Sequence, residues 1–148
     1  MLFHKVIASF FGLGYFGKGA GTVAAGVAAF ILFFLFSNKG VAEYLLPVLS
    51  LFIILLGTWS SSKLLAVWGK DPQKVVIDEV AGIMVSLVFI PVSWSLYLAG
   101  FVLFRFFDIY KPLGIRKVEK LPGAWGVMAD DILAGVYSNI LVQLYIHC

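Results

Sequence analysis

Charge is scarce in this sequence: only 13% of its 148 residues are Asp, Glu, Lys or Arg, against about a quarter in an ordinary soluble domain. That is too little to solvate the surface of a water-soluble globule. Cysteine is almost absent, a single Cys148, so neither an internal disulfide nor a cysteine metal site can be built within it. Histidine is nearly missing too. His4 and His147 stand near opposite ends, which excludes phosphatases that work through paired interior histidines and makes a zinc centre a poor fit. No long repeat or low-complexity segment interrupts the chain. The net charge of +3 is small and confined to a few loops, which argues against nucleic acid as a partner and for anionic lipid head groups.

Apolar residues are what the sequence has in abundance, 61% of the total. Gly12 to Gly21 is a glycine-rich loop. Apolar runs follow from Thr22 to Ser37, from Leu45 to Leu56 with an extension over Leu64 to Trp68, from Val75 to Pro91, from Trp94 to Phe107, and from Val127 to Ile146. Runs approaching ~20 residues cross a bilayer as helices. The expected architecture is therefore all-α: a single domain over residues 1–148, an integral membrane bundle of about five transmembrane or re-entrant helices. The third and fourth runs are the short ones. A cleaved leader over Met1 to Gly21 is disfavoured, because the glycine-rich segment flows straight into the next apolar run.

Lysine and arginine placement predicts the orientation. With a cytoplasmic amino terminus, the inner segments carry Lys5, Lys18, Lys63, Lys70, Lys74, Lys111, Arg116, Lys117 and Lys120, and the outer ones only Lys39. This arrangement brings Asp78 and Glu79 at the start of the third run, Asp108 at the end of the fourth, and Asp130 and Asp131 at the start of the fifth to one level. Ionisable groups at membrane depth are costly and mark functional sites.

Acids in a first helical turn can simply complement the helix dipole, and Arg105 with Asp108 can be a plain (i, i+3) ion pair. Two acid pairs plus Asp108 at one level need more, since clustered carboxylates repel and require a counter-charge. A divalent cation supplies it, and hard oxygen ligands with few histidines favour Mg²⁺. Adjacent helical residues project about 100° apart, so one acid of each pair is expected to face the ion and the other a neighbouring helix. Arg105, Lys111 and Arg116 beside a carboxylate-held metal suit a phosphate ester. Lys117 and Lys120 read as head-group contacts. Glycines Gly82 and Gly135, each four residues after an acid, are expected to let helices approach closely.

Three segments together resemble the phosphatidylglycerophosphatase A family: Gly12-Leu-Gly with Gly21-Thr22; Val76-Ile-Asp-Glu-Val-Ala-Gly82; and Phe104-Arg-Phe-Phe-Asp-Ile-Tyr-Lys-Pro112 running through Ile115-Arg116 to Gly126-Val-Met-Ala-Asp-Asp-Ile-Leu-Ala-Gly135. The resemblance implies removal of the terminal phosphate of phosphatidylglycerophosphate to give phosphatidylglycerol, a requirement for Mg²⁺, and a multi-pass location in the bacterial cytoplasmic membrane with the site facing the cytoplasm. It assigns Asp78, Glu79, Asp130 and Asp131 to the metal, Asp108 to the catalytic set, and Thr22, Arg105, Lys111 and Arg116 to the substrate. Departures are visible. Gly17 and Ala20 stand where members usually carry prolines, Pro122-Gly123-Ala124 replaces a His-Gly-Gly stretch, and Leu113-Gly114 replaces Trp-Pro. The missing histidine counts against a histidine acid or base. The nucleophile stays open between a metal-activated water and an aspartyl-phosphate route. The competing reading is a small transporter or channel whose acids line an ion path. The alcohol phosphotransferases of lipid synthesis are excluded, because their Asp-Gly-x-x-Ala-Arg element is absent.

Overall fold

The computed structural model describes residues 2–13, 19–36, 42–68, 76–91, 93–110, 114–118 and 124–147. Among them the chain forms helices and no strands: α1 (Leu2–Ala8), α2 (Ala20–Phe36), α3 (Ala42–Trp68), α4 (Ile77–Leu87), α5 (Trp94–Tyr110), α6 (Ile115–Val118) and α7 (Ala124–His147). The five apolar runs become α2, α3, α4, α5 and α7. Two short helices, α1 and α6, were not expected from the sequence.

Helix α4 is the hub, packed against α2, α3, α5 and α7, and nine of its 11 residues are buried. The surrounding helices reach it by presenting glycine. A Cβ added at Gly57 of α3 would stand 3.0 Å from Ile77, one at Gly100 of α5 3.0 Å from Leu87, and one at Gly135 of α7 only 2.3 Å from the Gly82 carbonyl oxygen. The expected role of Gly82 and Gly135 in close packing is thus realised as a backbone-to-backbone crossing of α4 and α7. Ala24, Ala25, Ala81, Ile83, Phe104, Met128 and Ala134 fill the core around these crossings.

The run from Val75 to Pro91 does not continue as one helix. Val88 turns to an extended conformation and Phe89 takes a left-handed φ of 60°, leaving α4 about 16 Å long, roughly half of a ~30 Å hydrocarbon core. The carbonyls released at its end are satisfied from α7. Asn139 Nδ2 donates to the carbonyls of Val85 (3.2 Å), Ser86 (3.1 Å) and Val88 (2.7 Å), and Gln143 Nε2 donates to that of Phe89 (3.3 Å). A helix that stops inside a bundle needs such partners, because buried bare carbonyls are costly. Ser138 Oγ donates to the Gly100 carbonyl at 2.9 Å and ties α7 to α5 in the same region.

The other end of α4 is held by α1. The Val76 amide donates to the Ala8 carbonyl at 2.8 Å. His4 Nδ1 lies 3.2 Å from Ser60 Oγ of α3, with its ring edge-on to Trp59. Phe3 and Val6 of α1, and Phe11 just beyond it, remain exposed. Among the described residues one helix, α3, contains a stretch long and apolar enough to cross a membrane, Leu45–Leu64; α2 contributes a shorter apolar stretch, Gly21–Leu35.

Candidate active site

The starts of α2, α4 and α7 and the end of α5 meet at one end of the bundle. Asp78 and Glu79 occupy the first turn of α4, where Val76 provides no side-chain cap, so the acids face the positive end of the helix. Asp130 and Asp131 do not start a helix as expected from the sequence. Helix α7 begins at Ala124 and has no acid in its first turn. Dipole complementation therefore leaves this second pair unexplained.

The acids converge into two overlapping groups. One carboxylate oxygen from each of Asp78, Asp130 and Asp131 lies within 4.8 Å of the others, and the same holds for Glu79, Asp108 and Asp131. Asp131 belongs to both groups and is 1% exposed. Neither of its buried side-chain oxygens receives a hydrogen bond from the described residues. The adjacent pair Asp130–Asp131 contradicts the expectation that neighbouring helical acids cannot share one point. Asp130 Oδ1 folds back to accept from the Asp131 amide at 2.9 Å, which places both side chains on the same side of α7. Asp78 and Glu79 fall one to each group, so neither turns away from the cluster toward a neighbouring helix alone.

Arg105 is drawn into this cluster. Its Nη1 donates to Glu79 Oε2 at 3.1 Å and to Asp108 Oδ2, bridging α4 and α5. The (i, i+3) pair with Asp108 foreseen from spacing is present, and Glu79 extends it. Gly21 of α2 closes against Glu79; a Cβ there would lie 2.6 Å from Oε1. Thr22 is exposed, and among the described residues it makes no hydrogen bond to the acids. Lys111 lies outside the described residues, and for Arg116 the description stops at the backbone of α6. In the sequence Gly21 stands only as the end of the glycine-rich segment and the neighbour of Thr22; its role as a wall against Glu79 comes from the structure.

Among the described residues, five carboxylates thus face one guanidinium in a largely buried space. Desolvation and mutual repulsion both oppose this arrangement unless a further positive charge enters. Among the described residues the donor set fits a hard divalent cation: carboxylate oxygens only, clustered at ligand-to-ligand spacing, with no described donor on the two oxygens of Asp131. Acids gathered at one end, rather than graded along the bundle, disfavour the ion-path alternative.

Comparison with known proteins agrees with this geometry. The phosphatidylglycerophosphatase A family model matches residues 6–146. A Haemophilus influenzae protein named phosphatidylglycerophosphatase A is 38% identical over 140 residues, covering 93% of this chain and 85% of that one. An Escherichia coli protein of the same name is 41% identical over 70 residues, covering 46% of this chain and 41% of its own. A Bacteroides thetaiotaomicron protein carrying the provisional name phosphatidylinositol-3-phosphatase is 42% identical over 145 residues, covering 94% of this chain and 91% of its own. No solved structure matches the chain. Acid pairs, bridging arginine and packing glycines all fall within the matched span, and the chain belongs to the phosphatidylglycerophosphatase A family.

Proposed function

We propose that this chain is a Mg²⁺-dependent phosphatase that hydrolyses phosphatidylglycerophosphate to phosphatidylglycerol and phosphate in phospholipid biosynthesis. Family membership carries the coarser part, a phosphatase of phospholipid metabolism. The observation that carries the finer part is the overlap of two carboxylate groups on Asp131, beside Arg105. Asp78, Glu79, Asp130 and Asp131 hold the cation in this reading. Mg²⁺ bound there would polarise a phosphoryl oxygen and offset its charge. Arg105 keeps Glu79 and Asp108 in position, while Lys111, Arg116 and Thr22 engage the phosphate. Among described residues no histidine stands at the cluster, so proton transfer falls to its carboxylates or to water.

The test is phosphate release by the purified protein from phosphatidylglycerophosphate and, in parallel, from phosphatidylinositol 3-phosphate, titrating Mg²⁺ against a chelator. The expected result is Mg²⁺-dependent release from phosphatidylglycerophosphate with the higher kcat/KM. Full activity in excess chelator would sink the metal assignment, and a preference for the inositol lipid would reassign the substrate.

The proposed location is the bacterial cytoplasmic membrane, multi-pass, with the site on the cytoplasmic side. Apolar side chains exposed around the flanks support it, among them Phe30, Val48, Phe52, Val102, Ile140 and Leu144, as does the loop charge asymmetry. In a Cys148→Ser background, single cysteines replacing Lys39 and Lys117 should label from opposite sides. External labelling of the Lys117 position but not the Lys39 position by an impermeant reagent overturns the orientation.

A further inference from the structure

A groove of about 390 Å³ runs between α2 and α5, lined almost wholly by apolar side chains. Its floor is small, Gly26 and Ala29, and its walls are aromatic, including Phe30, Phe33, Trp94 and Phe101. Both helices that form it lead to the acidic cluster. Gly21 of α2 touches Glu79, and Arg105 of α5 binds Glu79. At 1.5 Å per residue, the near end of the groove, Gly26 and Phe101, begins about 6–8 Å along these helices from Gly21 and Arg105. It then continues for roughly 12 Å toward Phe34 and Trp94. Charge at one end and a long apolar trough at the other, separated by the length of a short polar linker, describe an amphiphile with an anionic head and an extended tail.

We infer that the α2–α5 groove holds one acyl chain of the lipid substrate while its phosphate lies at the carboxylate cluster. The inference rests on the reading of the site as a lipid phosphomonoesterase and adds the part of the substrate that the acids do not see. Gly26 is the position that matters. A Cβ there would stand 3.8 Å from Phe101, so alanine fits in ordinary contact, whereas a larger side chain projects into the trough. Burial of apolar surface along the groove contributes to productive binding of chain-bearing substrates and not to that of a bare head group.

The test compares kcat/KM for dioleoyl phosphatidylglycerophosphate with that for glycerol 3-phosphate, a phosphomonoester without acyl chains, using full-length protein in mixed micelles. Gly26→Leu should lower the ratio of the two by roughly 15- to 60-fold, equivalent to excluding two or three methylenes. Gly26→Ala should lower it far less. Should Gly26→Leu fail to fold, Leu98→Trp fills the same groove from a half-exposed wall position and should move the ratio in the same direction. Wild-type activity with an unchanged ratio in both filled variants overturns the groove assignment alone. A Gly26→Leu variant that changes only oligomeric state overturns it too, and marks the seam as a contact between copies. An inactive wild type removes the phosphatase reading itself, and the groove assignment falls with it.

Discussion

Replacing Asp131 by asparagine should lower kcat/KM by more than 100-fold and, in the absence of metal, raise the thermal midpoint. The rate effect follows from position. Asp131 is the one residue common to both carboxylate groups, so its loss weakens every cation position the cluster can offer. Loss of residues that merely orient metal ligands already costs ~10- to 100-fold, and a direct ligand exceeds that. Excess Mg²⁺ should restore part of the rate. The stability effect has the opposite sign for a physical reason. Asp131 is buried with two oxygens that accept no hydrogen bond from described residues, among Asp78, Glu79 and Asp108. Removing that charge relieves repulsion and desolvation, and the amide gains donors. Addition of Mg²⁺ should stabilise the wild type strongly through its preference for the folded state and the variant much less. A variant with wild-type rate and the wild-type response of its midpoint to Mg²⁺ would leave the cluster without its proposed role.

The largest effect on folding is expected from Gly135→Ala, a change of one methyl group. The added Cβ would meet the Gly82 carbonyl oxygen at 2.3 Å and the Gly82 carbonyl carbon at 3.2 Å. Both obstacles are backbone, so no rotamer change relieves them, and α4 and α7 must separate. Overpacking of cores costs ~1–3 kcal/mol, and a clash against helix backbone belongs at or above the upper end. Because Asp78 and Asp131 sit on these two helices, activity should fall along with stability. Gly21→Ala provides the contrast. Its Cβ meets the Glu79 carboxylate, which can swing aside, so activity should suffer with little change in the midpoint. Thermal unfolding in detergent alongside phosphate release separates the cases. A Gly135→Ala protein with wild-type midpoint and rate would contradict the crossing.

Much of this arrangement is legible in the sequence because polarity interrupts it so rarely. Each long apolar run supplies a helix, although the polar patch between Leu56 and Leu64 lies inside α3 rather than breaking it. The meeting of Asp78, Glu79, Asp108, Asp130 and Asp131 follows from alternating helix direction alone, and glycines four residues after acids pointed to the α4–α7 crossing. The third run was legible as a short one, but the point where α4 stops within it was not. Val88, Phe89, Ile90 and Pro91 continue its apolar character, and what ends the helix is a left-handed Phe89 whose neighbours' carbonyls are answered from α7, more than 50 residues later. Local periodicity holds no trace of a partner so distant. Helix α1 is short, and nothing in its local sequence marks His4 as packing on Trp59 of α3. The shared direction of Asp130 and Asp131 depends on one side chain folding back to a backbone amide, a rotamer choice beneath the reach of helical geometry.

The dependence of α4 on α7 also sets an order of assembly. Asp130, Asp131, Asn139 and Gln143 all belong to the last helix of the bundle, so as the chain emerges during synthesis, α4 exists first as a fragment whose terminal carbonyls lack their amide donors. Its Glu79, with Asp108 and Arg105, then forms a group that still lacks Asp131. Gly82 meanwhile presents an open notch where Gly135 has yet to arrive. Insertion of α7 closes all three at once: it caps the broken helix, fills the notch and brings in the carboxylate that belongs to both groups. In the proposed reading, the shared cation position is therefore complete only once α7 has docked on α4.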